Sequence, residues 1–374
     1  MNRRLILIII IIAVILFASI LAYFIYSFFT PKTPATTATS TAAGFTTPSG
    51  NQNQTAAARI SLVSQNPVVD YSQNNNGGVY YITPSGEIIS NNSGQENALS
   101  QPLSSNILDA QFSNDGQKIL IKTGNFKFSL FDVASSTMTP LDSLGKIDGA
   151  AFSPASSSQI AYLQNNGMSD NLDATNFGGQ KIQTQTLATF AQQDYQISWP
   201  TANTISLIQK PSSYFPGSAI IFNVSSKYAS MPFYSTPGLM INWLANGLGL
   251  EFSSSVNNRG GNINLINNSG QQIGQLNVST LPSKCAFDAN SSSTLYCAVP
   301  RDANFASQVL PDNYLMRAVY TSDNIYKIDL NSNQIGLYFN DPLENYDMSD
   351  IKIFGNTLYF INRYDQKLYK MTLS

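Results

Sequence analysis

Short runs of apolar residues alternate with polar turns between residues 59 and 374, and the alternation has a regular period. The stretch FSNDGQKILI, Phe112–Ile121, illustrates the unit: an aromatic residue ends one run, a polar turn follows, and a second apolar run begins. Short runs of this kind, bounded by Gly, Pro, Asn, Asp and Ser, predict β-strands. The aromatic anchors of five successive units are spaced by 40, 47, 44 and 44 residues, at Phe112, Phe152, Trp199, Trp243 and Phe287.

Four short strands in every 40 to 50 residues is the pattern of a β-propeller blade. A lone four-stranded sheet cannot bury both of its faces, whereas sheets stacked around a ring cover one another. The sequence therefore predicts an all-β fold, a seven-bladed β-propeller over residues 59–374, although the spacing also allows six or eight blades. One or two β-sandwiches are the alternative. The seven units begin near Val68, Ile107, Ile147, Tyr195, Leu239, Ser283 and Ser349.

The last unit contains three strand-like runs rather than four before residue 374. A sheet edge left open in this way would expose unpaired backbone groups. The run RISLV, Arg59–Val63, precedes the first complete unit. We therefore predict that this run supplies the fourth strand of the last blade and closes the ring.

One unit also carries a recognisable motif. Phe112–Ile121 resembles the F-S-P-D-G-x-x-I-A-F motif of the TolB-like and WD40-like propellers, and FSPASSSQIAYL, Phe152–Leu163, keeps its Phe-Ser-Pro. The resemblance implies a propeller in which Asp115-Gly116 forms the tight turn between two strands. Because that family includes binding modules, parts of envelope machinery and peptidase-attached propellers, it implies fold far more than function.

The chain begins with a strongly apolar segment. Leu5–Phe29 contains 25 residues without a charge, and as a helix it would be about 37 Å long, enough to cross a bilayer. A cleaved signal peptide is the alternative, but its apolar region is shorter and ends in small residues. Arg3 and Arg4 place the N-terminus (1–4) in the cytoplasm. Residues 30–58, rich in Thr, Ala, Pro and Ser, are typical of a flexible linker.

The sequence thus predicts a single-pass membrane protein that contacts the lipid bilayer through Leu5–Phe29. Its propeller would be extracytoplasmic, in a periplasm or at the cell surface. Three of the 20 basic residues precede residue 59, so the propeller region has 17 basic and 22 acidic residues. A weakly acidic domain without basic runs argues against nucleic-acid binding.

Histidine is absent from the sequence. This excludes Ser-His-Asp and Cys-His catalysis and histidine metal sites. No recognisable catalytic motif or cofactor-binding motif is present, so we expect neither an enzyme nor a cofactor. Two acidic loops could offer oxygen ligands to a cation, although acidic loops between strands are more often simply solvated. They contain Asp170, Asp173 and Asn176, and Asp341, Glu344, Asp347 and Asp350.

Cys285 and Cys297 are the only cysteines, and they lie symmetrically about Ser291 in a turn between two predicted strands. Antiparallel pairing would place them opposite each other, where a disulfide can form in an oxidising compartment. Two buried free thiols are the alternative.

Two loop insertions offer aromatic and arginine side chains, which are frequent in protein contacts. Tyr214 and Phe215 lie between prolines in one loop, and Arg301, Tyr314 and Arg317 lie in the long insertion of the sixth unit. The alternative is that these residues pad neighbouring blades. We predict a binding or scaffold module for a protein or glycan partner. The alternatives are a carboxylate-based glycan-active enzyme and a structural component of a secretion or pilus-type machine.

Overall fold

The computed structural model describes residues 60–373, apart from 75–76, 104–105, 125–126, 179–181, 192–193, 245–246, 256, 289 and 292. The predicted N-terminus (1–4), membrane span (5–29) and linker (30–58) lie outside the described residues. Within the described part of the chain, no helix is long and apolar enough to cross a bilayer.

The described residues form 28 strands in seven four-stranded antiparallel sheets, each of which is one blade of a propeller. The first strand, β1 (Ile60–Leu62), belongs to the last blade. Blade 1 comprises β2 (Asp70–Gln73), β3 (Val79–Ile82), β4 (Ile88–Asn92) and β5 (Gln95–Ala98). Blade 2 comprises β6 (Ile107–Phe112), β7 (Lys118–Thr123), β8 (Phe128–Asp132) and β9 (Thr137–Pro140). Blade 3 comprises β10 (Ile147–Ser153), β11 (Ser156–Asn165), β12 (Asp170–Asn176) and β13 (Gln183–Phe190).

The remaining blades repeat this order. Blade 4 comprises β14 (Tyr195–Thr201), β15 (Thr204–Gln209), β16 (Gly217–Asn223) and β17 (Tyr228–Thr236). Blade 5 comprises β18 (Met240–Trp243), β19 (Gly249–Ser254), β20 (Gly261–Ile266) and β21 (Gln272–Leu276). Blade 6 comprises β22 (Cys285–Phe287), β23 (Thr294–Pro300), β24 (Asp323–Asp329) and β25 (Gln334–Phe339). Blade 7 comprises β26 (Met348–Phe354), β27 (Thr357–Asn362), β28 (Lys367–Thr372) and β1.

Three short 3₁₀ helices and one short α-helix complete the described elements. The 3₁₀ helices cover Asp142–Leu144, Pro282–Lys284 and Ala303–Ser307, and the α-helix, α1, covers Asp312–Leu315. The last two lie in the insertion between β23 and β24 of blade 6.

The cores lie between blades, as the stacking argument predicts. In β7 the consecutive residues Ile119, Leu120 and Ile121 are all buried, because neighbouring blades cover both faces of the strand. The fourth strands are more exposed, and β17 has an exposed or half-exposed residue at every position. The apolar runs in the sequence therefore mark the second and third strands best.

The ring closes through its two ends. Ile60 pairs with Met371 and Leu62 with Tyr369, so β1 is the outer strand of blade 7. The Val63 N–H also donates a hydrogen bond to the Leu368 carbonyl (2.8 Å). The predictions of seven blades and of closure by the run at 59–63 are confirmed.

The two ends of the propeller carry different connections. First strands of neighbouring blades contact each other, so they are innermost. Second-to-third strand loops and the connections between blades lie at one end, which we call the loop face; the first-to-second turns lie at the other end. Because Ile60 pairs with Met371 at the end of β28, the chain enters the propeller at the end opposite the loop face.

The turn at Asp115-Gly116 shows why the motif has this composition. The Asp115 carboxylate accepts hydrogen bonds from Ser113 Oγ (2.6 Å) and the Gln117 N–H (3.0 Å). Gly116 has φ +67°, and a Cβ there would lie 2.5 Å from the Gln73 carbonyl oxygen of blade 1. Glycine is therefore required both for the turn and for the approach of the adjacent blade.

Candidate functional site

The insertion of blade 6, residues 301–322, is the longest irregular segment between described strands, and it lies on the loop face. Its apolar side chains Phe305, Leu310 and Tyr314 are buried against blades 5 and 6. The insertion is thus a packed element with its own core rather than a free loop.

A buried charged cluster attaches the insertion to blades 6 and 7. Lys284 Nζ, fully buried, lies 2.6 Å from Asp323 Oδ2 and 2.8 Å from Asp347 Oδ1. Arg363 Nη1 lies 2.6 Å from Asp347 Oδ2. The ring of Tyr314 lies between the two cations, 5.1 Å from Lys284 Nζ and 3.6 Å from the Arg363 guanidinium carbon. Buried charges paired in this way cost far less than an isolated one.

The pKa values of the cluster follow from its geometry. Burial alone would raise the pKa of Asp347, but Lys284 and Arg363 hold it below its ordinary value. Burial likewise opposes charge on Lys284, yet Asp323, Tyr314 and Asp347 raise its pKa above the ordinary value. Lys284 and Asp347 are therefore both charged at neutral pH. Their ion pair joins blade 6 to blade 7, and hydrogen bonds attach the insertion to the cluster: the Thr321 N–H donates to Asp347 Oδ2 (3.1 Å), and Arg363 Nη2 donates to the Tyr314 carbonyl (2.6 Å).

Further hydrogen bonds attach the insertion to blades 4 and 5. The Asp312 carboxylate accepts from Ser212 Oγ (2.9 Å) and from the Ser213 N–H (2.7 Å) in the blade 4 loop. Arg259 Nη1 donates to the Ser307 carbonyl (2.8 Å), and Ser254 Oγ donates to the Leu310 carbonyl. The insertion thus contacts blades 4, 5 and 7 as well as its own blade.

Exposed apolar side chains surround this anchored insertion. Phe215 is 79% exposed and Met316 is 70% exposed, and the Ser212–Asp312 bond brings their two loops together. On the other side of the insertion Tyr320 stacks on Tyr364 of blade 7, with ring centroids 5.3 Å apart. We call the following set the apolar patch: Tyr214, Phe215, Leu315, Met316, Tyr320 and Tyr364.

A cavity of about 370 Å³ opens beside the patch at the mouth of the central channel. Leu315 of the patch lines it, together with the charged side chains of Arg317, Asp350 and Arg363. The site therefore combines an apolar rim with a polar cavity.

Carboxylates also gather on the inner strands. Lys352 Nζ contacts Asp70 Oδ1 (2.6 Å) and lies 4.7 Å from the centre of the Tyr71 ring. Asp109 and Asp350 both keep solvent-exposed surface. Partial desolvation by the surrounding protein, and then the charge of Asp70, raise the pKa of Asp109. Desolvation is also the main reason that the pKa of Asp350 is raised, with Asp70 adding to it. Asp109 and Asp350 therefore take up a proton more readily than an ordinary aspartate, and Asp70 on the inner strands is ion-paired with Lys352.

The residues predicted for binding divide into exposed and structural ones. Tyr214, Phe215 and Arg317 are exposed on the loop face. Tyr314 is only 3% exposed, so its ring packs inside the insertion rather than facing a partner. Arg301 donates hydrogen bonds to the carbonyls of residues 341 (3.0 Å) and 344 (2.7 Å), which fixes the preceding loop of blade 7.

Sequence reasoning missed several residues of the site. Tyr320 and Tyr364 lie in polar or mixed stretches without a period, and Lys284 and Arg363 gave no signal of burial. Met316 belongs to the insertion that the sequence already marked as a binding surface. The available signal was an aromatic residue in a loop: Tyr320 lies near the end of the insertion, and Tyr364 lies between β27 and β28.

Cys285 and Cys297 lie opposite each other on β22 and β23. A disulfide bond joins them, and both residues are buried in the core of blades 5 and 6. The bond therefore links the two innermost strands of the blade that carries the insertion.

No protein-family model and no curated protein matches the chain. Solved structures with the same architecture include oligogalacturonate lyase from Vibrio parahaemolyticus, with TM-score 0.59 and 7% identity over 84% of this chain and 93% of the other. A chain of the mitotic checkpoint complex has TM-score 0.56 and 11% identity over 92% and 100%. The β-propeller domain of Cps50 from Myceliophteria thermophila has TM-score 0.54 and 7% identity over 84% and 98%. At such identities the likeness shows the fold alone: the chain has the WD40-like fold of a seven-bladed β-propeller.

Proposed function

We propose that this protein is a membrane-anchored binding or scaffold module that presents the apolar patch to a protein partner. The observation that carries the proposal is the patch itself. Exposed apolar clusters beside a cavity are characteristic of interaction sites. The insertion beneath it is fixed by the hydrogen bonds from Arg363 to the Tyr314 carbonyl and from Ser212 to Asp312, so binding would cost little ordering of the loops.

The composition of the patch favours protein over glycan. It combines aliphatic Leu315 and Met316 with the aromatic rings of Tyr214 and Phe215. Aromatic residues and Met are enriched in protein interfaces. A glycan, which needs many polar contacts, remains the alternative partner.

The anchoring part of the proposal rests on the sequence. Leu5–Phe29 would cross the bilayer, with residues 1–4 in the cytoplasm and the propeller outside. The chain enters the propeller opposite the loop face, so the attachment point leaves the apolar patch clear. The narrower resemblance to TolB-like propellers belongs with this proposal, since that family includes parts of envelope machinery.

The proposal is tested by cross-linking and pull-down from intact membranes with the full-length protein. Replacing Phe215 and Met316 by Ser should weaken capture of a specific partner at least tenfold, about 1.4 kcal/mol or more, because exposed apolar anchors dominate such interfaces.

The matched control replaces Tyr234 and Ile273, which are also exposed but lie on outer strands. If the wild type and the Phe215 and Met316 variant captured the partner equally, the apolar patch would not be the binding surface. Recovery of one stable multi-protein membrane complex would instead favour a structural component of a secretion or pilus-type machine.

A glycan-active enzyme is the second candidate, and the raised pKa values of Asp109 and Asp350 favour it. Glycoside cleavage uses one carboxyl that donates a proton and one that is ionised, so Asp109 or Asp350 would be the acid and Asp70, paired with Lys352, the carboxylate. Turnover of an acidic or neutral glycan that is lost in both Asp109→Asn and Asp350→Asn would establish it. No turnover with either glycan class would dismiss it.

A further inference from the structure

A second site lies on the loop face between blade 3 and blade 4, away from the apolar patch. Asp170 begins β12 and is 0% exposed. No donor among the described residues reaches either of its carboxylate oxygens. Buried carboxylates are nearly always hydrogen-bonded or paired, so an exception of this kind needs a physical explanation.

The surroundings of Asp170 are rich in oxygen. Asp170 pairs directly with Asn165 of β11, so their side chains lie on the same face of the blade. Asn165 Nδ2 in turn donates to Asp148 Oδ2 of β10 (2.6 Å). Side chains of three adjacent strands therefore form one row of oxygen-bearing groups at the loop face.

Negative charge accumulates there. Burial, and then the charges of Asp148 and Asp194, raise the pKa of Asp170 to about 6. Two cations lie near Asp148: Lys122 Nζ donates to its backbone carbonyl (2.8 Å), and Lys146 Nζ lies 3.9 Å from its Oδ1 with a side chain that is 68% exposed. The exposed Lys146 offsets the charge only weakly, and neither lysine donates to the Asp170 carboxylate.

We propose that the carboxylates of Asp170 and Asp148 bind a divalent cation of the Ca²⁺ type at the junction of blades 3 and 4. Asn165 positions them: its Nδ2 donates to Asp148 Oδ2, and its Oδ1 accepts from the Gly167 N–H (2.9 Å). Ca²⁺ takes six to eight oxygen ligands in flexible geometry, including amide and backbone oxygens, whereas Mg²⁺ demands a near-ideal octahedron. Among the described residues no three His, Cys, Asp or Glu side chains converge on one metal position. The site therefore uses two carboxylates together with neutral oxygens.

Such a cation would connect the two blades. The first strands pack so closely that a Cβ on Gly149 would lie 3.1 Å from the Ile197 side chain of blade 4. Asp194 stands at the start of blade 4 and contributes to the same negative field. Charge neutralisation at this point would stabilise the junction without any contact with the apolar patch.

The test uses full-length protein in detergent, freed of metal with a chelator, and CaCl₂ or MgCl₂ as the probe. Millimolar Ca²⁺ should raise the thermal midpoint by roughly 2–5 °C, and calorimetry should detect one site. Asp170→Asn should abolish the shift and weaken binding at least tenfold, and Asp148→Asn should weaken it if the first variant misfolds. Glu344→Gln, at an exposed acid of blade 7, is the matched control.

Absence of Ca²⁺ binding by the wild type, or Ca²⁺ binding retained in Asp170→Asn and Asp148→Asn, would overturn the proposal.

Discussion

At the scale of single residues, the most consequential arrangement is the buried ammonium of Lys284 between two carboxylates. Asp323 begins β24 and Asp347 precedes β26, so the three groups come from separate parts of the chain. Lys284 is the one lysine of the cluster. The other cation of the cluster, Arg363, contacts Asp347 at Oδ2. Loss of Lys284 would therefore leave buried negative charge unbalanced.

Replacing Lys284 by Met should lower the free energy of unfolding by about 3–5 kcal/mol, because it removes one partner of a buried ion pair. Urea unfolding followed by fluorescence measures the change. Lys370→Met, at an exposed position of β28, should change stability by less than about 0.5 kcal/mol. If both variants changed the free energy of unfolding equally, the prediction would be wrong, and protonation of Asp323 and Asp347 would have to compensate for the loss of Lys284.

The residue scale is where the sequence is least informative. Tyr214 and Phe215 could be predicted as exposed because two prolines flank them. Lys284 could not be predicted as buried, since its partners are 39 and 63 residues away. Tyr314 was predicted as a contact residue from its neighbours, whereas its burial depends on Arg363 of another blade.

At the scale of elements, local rules suffice for hairpins. The Asp115-Gly116 turn and the Cys285/Cys297 register both follow from residues close in the chain. The 303–307 and 312–315 helices do not, because blades 4, 5 and 7 supply the contacts that fix the insertion. Non-local contacts of this kind leave no periodic pattern in the sequence.

The disulfide gives an element-scale prediction. It closes a short loop, with a sequence separation of 12, so its loss should lower the free energy of unfolding by about 2–3 kcal/mol. Denaturant unfolding of wild type with and without reductant, and of Cys285→Ser with Cys297→Ser, measures the effect. If the reduced protein and the double variant are as stable as the oxidised protein, the bond does not restrict the unfolded chain.

At the scale of the whole molecule, the seven-fold repeat could be read from the spacing of five aromatic residues, because a propeller repeats one supersecondary unit. Ring closure could also be predicted, because the last unit has three strand-like runs and a four-stranded blade needs one more strand. Fourth strands are less regular: QIGLYF could be predicted and forms β25, whereas β17 is exposed or half-exposed at every position and gave no such pattern.

Removal of β1 tests the closure. A propeller fragment beginning at residue 65 should melt more than about 5 °C below one beginning at residue 56, because β28 loses its partner strand and the Val63–Leu368 hydrogen bond. Differential scanning calorimetry of the two fragments decides this. Equal midpoints would mean that the pairing of β1 with β28 does not stabilise the ring.

The insertion of blade 6 also stabilises one part of the ring more than the other. It braces blades 4, 5, 6 and 7 against one another, through Ser212, Arg259 and Arg363, whereas its described hydrogen bonds do not reach blades 1 to 3. Thermal opening should therefore begin in the unbraced sector, and amide hydrogens of β7 should exchange before those of β23 although both strands are buried. The surface that carries the apolar patch would then be the last part of the ring to loosen.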